Sequence, residues 1–165
     1  MISLVGSSDS TVNITTATKR LARGIAISQG QFSLLLACCN SANRQQELMS
    51  LLMEFSPVKI NEIWLPPSTE TLYTTIHRFL GGNQPSSLSI RGLESITTIN
   101  QLIISTNLLG DEFPKQFQFP FVLWINDDIL RNLIWLAPDL KDWAATTIRF
   151  DTPSQQLVEQ QVLIA

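Results

Sequence analysis

Residues 38–44, Cys-Cys-Asn-Ser-Ala-Asn-Arg, close an apolar run and open a helical pattern. A strand turning straight into a helix is where many α/β proteins hold an anion, on the free N–H groups of the first helical turn. Phosphate chemistry at such a turn needs glycines so that successive N–H groups can curl around the anion. It also needs a lysine for the outer phosphates and a hydroxyl for Mg²⁺. Between Leu36 and Leu48 there is no glycine and no Gly-Lys-Ser/Thr triplet. Asn40, Ser41 and Arg44 remain; Arg44 falls in the first helical turn, placed either to meet an anion or to be solvated. A later strand runs into Arg91-Gly92-Leu93-Glu94. A metal-holding strand would end in Asp, often followed by Glu; here glycine and leucine take those places and Glu94 stands alone. Asn126-Asp127-Asp128 reads as a helix-capping cluster. Asn40, Ser41, Arg44, Glu94 and Asp127 are therefore the candidates for a vestigial cleft.

The other reactive side chains assemble no catalytic pattern. His77, the single histidine, sits with Arg78 on the polar side of its helix and has no Ser or Cys nucleophile paired to it. Asp111, Glu112, Asp139 and Asp142 fall in loops or at helix ends, where capping and solvation account for carboxylates. Cys38 and Cys39 are adjacent, a spacing that suits neither a disulfide nor a zinc site. They read as small core residues of a protein kept in a reducing cytoplasm. No catalytic residue, cofactor or metal is expected.

Composition narrows the partners. The chain has 165 residues, 44% of them hydrophobic and 15% charged, with a net charge of −3. That is a globular composition with no electrostatic case for nucleic acid. Lys19, Arg20 and Arg23 form one small basic group, read as a solvated helix face. No stretch approaches the roughly 18 apolar residues of a membrane span, and no basic segment precedes an apolar one at the N-terminus.

The elements that must position these residues follow from hydrophobic periodicity. Phe32–Cys38, Ile60–Leu65, Leu88–Ile90, Phe121–Ile125 and Thr147–Phe150 read as strands, several apolar at nearly every position, as a sheet covered on both faces requires. Helical spacing places Leu48, Leu51, Leu52 and Phe55 on one buried face, and Leu72, Ile76, Phe79 and Leu80 on another, with Ser68 as N-cap and Gly81-Gly82 as stop. Ile99, Leu102, Ile103 and Thr106 form a third face. Ile129, Leu130, Leu133 and Ile134 form a fourth, capped by Asp127 or Asp128. An N-terminal helix is expected around Thr15–Ser28. Pro57, Pro66-Pro67, GGNQPSS and FPKQFQFP mark loops. The alternation predicts a three-layer αβα sandwich with a mostly parallel five-stranded sheet. The final SQQLVEQQVLIA reads as an amphipathic helix and suggests one domain of a longer multidomain protein.

Several segments taken together resemble a known family. LARGIAISQGQFSLLLACCN, SIRGLES, QLIISTNLLGDEFPKQF and FPFVLWINDDILRNLIWLAPDLKDW, followed by TTIRFD, resemble in order the inactive STAND-like domains of bacterial signalling proteins. These are relatives of the NACHT and AP-ATPase NTPases, and the likeness spans residues 17–151. It implies a P-loop NTPase-like core without Walker motifs, no enzyme activity, and work done through contacts with other proteins or with neighbouring domains. At NLLGDEF the family pattern has an arginine before the acidic residue, where this chain has Gly110. Trp135 and Trp143, which flank the Ala-Pro-Asp segment with Asp139, are either partner anchors or core, with core slightly favoured. The alternative function is a nucleotide-binding switch or weak NTPase with an unconventional site.

Overall fold

The computed structural model describes residues 2–150, with side chains from 13 to 150; the expectation for SQQLVEQQVLIA falls outside them. Five strands form the sheet: β1 (Ser33–Cys38), β2 (Asn61–Trp64), β3 (Leu88–Arg91), β4 (Pro120–Ile125) and β5 (Ala144–Arg149). Every pairing is parallel and the order is β2-β3-β4-β1-β5. β1 and β4 are interior strands and, Ser33 apart, apolar, as burial on both faces requires.

The helices divide between the faces according to where each strand's side chains point. α1 (Ile2–Ile27) and α2 (Ala42–Phe55) cover one face. There Leu21, Ile25, Leu48, Met49 and Leu52 pack on Leu35, Ala37, Val122 and Trp124. α3 (Leu72–Leu80), α4 (Ile99–Leu108), α5 (Glu112–Gln116), α6 (Asp127–Leu136) and α7 (Pro138–Trp143) cover the other. Leu34, Leu36, Ile90, Phe121 and Leu123 meet Ile76, Leu102, Leu133 and Leu140 on that side. Trp124 is fully buried, its Nε1 donating to Ser89 Oγ at 2.9 Å while its ring stacks on Phe150.

Several local expectations change. The N-terminal helix is longer than Thr15–Ser28, beginning at Ile2. α3 starts after Thr71 rather than at a Ser68 cap, and ends at Gly81, whose left-handed φ of 56° suits glycine. Phe79 and Ile134, placed on buried faces by their spacing, are 52% exposed; each lies at the margin of its apolar stripe, where spacing alone does not decide burial. The FPKQFQFP stretch is not all loop. Glu112–Gln116 is helical, and Phe113, Phe117 and Phe119 are buried with Phe32, Tyr73 and Phe121 in one aromatic cluster.

Candidate functional site

In an open parallel sheet the natural ligand crevice opens where successive strands send their chains to opposite faces. Here that point lies between β1 and β4, because the chain leaving β1 enters α2 on one face and the chain leaving β4 enters α6 on the other. The sequence candidates Asn40, Ser41, Arg44 and Asp127 all arrive at this end of the sheet.

The turn after β1 is short. β1 ends at Cys38 and α2 begins at Ala42, leaving Cys39, Asn40 and Ser41 between them. The Cys39 N–H still donates to Ile125 O at 2.8 Å, so little backbone is left to wrap around an anion. Ser41 is the N-cap of α2, and its hydroxyl accepts from the Arg44 N–H at 3.3 Å. One of the N–H groups that could meet a phosphate is thereby satisfied by the protein itself. Arg44 is half-buried in the first turn.

Across the crevice, Asn126 rather than Asp127 or Asp128 caps α6, its Oδ1 accepting from the Ile129 N–H at 2.8 Å. Asp127 is released from capping and turns inward, 5% exposed. Asn40 Nδ2 donates to Asp127 Oδ2 at 2.9 Å, and the Asp127 N–H returns a bond to Asn40 Oδ1 at 2.9 Å. The Cys38 thiol donates to Asp127 Oδ1 at 3.4 Å, and Arg149, at the end of β5, forms an ion pair with the same oxygen. Three adjacent strand ends are thus joined across the switch point. The Asp127 carboxylate is paired with the arginine at this point.

Glu94 is not part of this cluster. It lies exposed in a 3₁₀ turn, Leu93–Ser95, beyond β3. Gly92, just before it, has φ 94° and approaches the Leu65 backbone so closely that a Cβ would lie 2.7 Å from Leu65 O. Sequence reading missed Arg91, the last residue of β3. It is 3% exposed, lies 4.4 Å from the Trp64 ring centroid, and pairs with Glu62 at 3.0 Å. It also donates to Gln45 Oε1 at 2.9 Å and Gln46 Oε1 at 2.7 Å, tying β3 to α2. Arg149 was missed in the same way. The available signal was a lone arginine closing an otherwise uncharged strand.

Of the candidate anchors, Trp135 is 78% and Trp143 36% exposed, and Asp139 is exposed. The core reading therefore fails for Trp135, which projects from the outer side of α6. Trp143 is half-seated, its ring lying on Gly110: a Cβ at 110 would fall 1.2 Å from Trp143 Cη2. The tryptophan takes the space that any side chain at 110 would need. Cys38 and Cys39 are both buried. Among the described residues no helix is long and apolar enough to cross a membrane, and no three His, Cys, Asp or Glu side chains converge as a metal site would require.

No protein-family model and no curated protein matches the chain. Among solved structures it is similar to the Aeropyrum pernix ORC2 protein in its ADP form, with a TM-score of 0.51 and 11% identity. The match covers 88% of this chain and 50% of that one, so the chain spans about half the length of that structure. At that identity the likeness shows the fold. The domain is a P-loop NTPase-like αβα sandwich with an all-parallel five-stranded sheet.

Proposed function

We propose that this domain is a non-catalytic interaction or scaffolding module, a P-loop NTPase-like fold of the inactive STAND-like kind, acting within a multidomain signalling protein. One observation carries the reading: the switch-point crevice is closed by the paired bonds between Asn40 and Asp127 and by the Asp127–Arg149 ion pair. The three-residue turn before α2 supports it, since a phosphate cradle needs more backbone than that. So does Arg91, whose cation ends β3 where an Mg²⁺-dependent relative would need a carboxylate. On this reading the fold supplies rigidity, and the outer surfaces of its helices meet other proteins or neighbouring domains.

A nucleotide-binding switch is the second reading, favoured by the ADP form in which the similar structure was determined. It requires the Asn40–Asp127 bonds to open and Arg44 to take the anion. Thermal unfolding with Mg²⁺ and ATP, ADP or GTP separates the two. A ligand at a hundred times its dissociation constant stabilises the native state by about 2.7 kcal/mol. An unchanged melting temperature at millimolar nucleotide supports the scaffold; a saturable rise overturns it.

A further inference from the structure

The α4–α6–α7 face carries exposed apolar groups beside acidic ones. Asn132 Nδ2 donates to Asn100 Oδ1 at 3.1 Å and fixes the register of α6 against α4. One turn further along each helix stand Ile104, 42% exposed, and Trp135. One turn beyond Ile104 is Leu108, 79% exposed, at the mouth of a cavity of about 410 Å³ that Trp143, Asp111 and Asp139 also line. The cavity is held in shape from beneath: the Leu140 N–H donates to Asn107 Oδ1 at 2.9 Å, and the Trp143 ring rests on Gly110. None of its lining residues is a cation. Of the cations on the surrounding elements, Lys115 and Arg131 are drawn to Glu112 and Asp128 at 3.4 and 3.6 Å, and Lys141 stands half-buried on α7 between Asp139 and Trp143.

The geometry points to a docking site for a short basic segment of another protein, one that presents an arginine beside an aliphatic or aromatic side chain. This rests on the interaction-module reading and names its partner class. A planar guanidinium can stack on the exposed face of Trp143 while forking to Asp111 or Asp139, which a lysine ammonium does less well. The neighbouring apolar side chain covers Leu108, Ile104 and Trp135, which otherwise stay in water. The cavity volume suits one long side chain with its immediate neighbours.

The test is selection of a displayed random-peptide library on the full chain, followed by titration of the labelled consensus peptide. Enriched peptides are expected to carry arginine next to an apolar residue. Their affinity should fall about tenfold or more in Trp135→Ser with Leu108→Ser, and likewise in Asp111→Asn with Asp139→Asn. Raising the salt concentration should weaken binding, as screening of the aspartates requires. Acidic or uncharged consensus peptides, affinities that ignore these substitutions, or no binder at all would overturn the proposal. So would a homodimer that the Trp135→Ser and Leu108→Ser pair dissolves, since the face would then be a contact between copies. Nucleotide titration on the same samples distinguishes the two levels. A failed peptide selection with unchanged nucleotide behaviour overturns the docking site alone; a nucleotide-induced rise in melting temperature overturns the module reading beneath it.

Discussion

Replacing Asp127 by asparagine keeps the shape of the side chain and the Asn126 cap but removes the charge that closes the crevice. In the native arrangement Oδ1 accepts from Arg149 and from the Cys38 thiol, while Oδ2 accepts from Asn40. A carboxamide has one acceptor oxygen, so its NH₂ group must face either Asn40 or the Arg149–Cys38 pair, donor against donor. A hydrogen bond to a charged group contributes about 1.5–3 kcal/mol. The Arg149 side chain is 41% exposed, which moves its share to the low end, whereas Asp127 at 4% gains nothing from water. The expected loss is about 2 kcal/mol, and at about 2–4 °C per kcal/mol for a domain of this size the melting temperature falls by about 4–8 °C. Asp127→Ala, which also strands Asn40 Nδ2, should cost about 1 kcal/mol more. Far-UV circular dichroism during thermal and urea unfolding reads both, and a cycle with Arg149→Gln should return a coupling of about 1 kcal/mol. An Asp127→Asn melting temperature within about 1 °C of wild type would refute the inference that this carboxylate holds the strand ends together.

Three further substitutions probe other parts of the fold. Arg91→Ala strands the buried Gln45 amide, while the Glu62 it also releases is open to water, so urea unfolding should show a loss of about 1–3 kcal/mol, with Arg91→Lys recovering only part of it. Gly110→Ala drives a methyl group into the Trp143 ring; tryptophan emission should shift to the red as the ring is expelled, and stability should fall by about 1–3 kcal/mol. Trp124→Phe removes the donor to Ser89 Oγ and leaves space beside Phe150, for an expected loss of about 1–3 kcal/mol in a denaturant melt.

The sheet was legible in the sequence because its central strands are apolar at nearly every position, as a parallel sheet covered on both faces requires. FVLWI and SLLLAC carry the signal without help from any neighbour. The candidate cleft was legible in part. Asn40 and Asp127 could be placed at strand ends, but their bonds to each other span 87 positions of chain, and local periodicity carries no information about such pairs. Asp127 was misread as a cap because three consecutive residues could all cap α6, and only the side-chain geometry selects Asn126. Arg91 and Arg149 escaped notice because each is the one charged residue of its strand, and its partners lie on other elements. Phe79, Ile134 and Trp135 show the same limit from the other side: residues at the margin of an apolar stripe are buried or exposed according to what the next element covers.

The central claim is that the crevice between β1 and β4 is closed by the protein's own side chains. Amide NMR of the full chain with added Mg²⁺ and ATP measures this at the residues concerned. The account predicts that the Asp127 backbone N–H exchanges slowly with solvent, and that it and the Asn40 side-chain amide keep their positions at millimolar nucleotide. Rapid exchange at the Asp127 N–H, or saturable shifts at Asn40, Arg44 and Asp127, would contradict it.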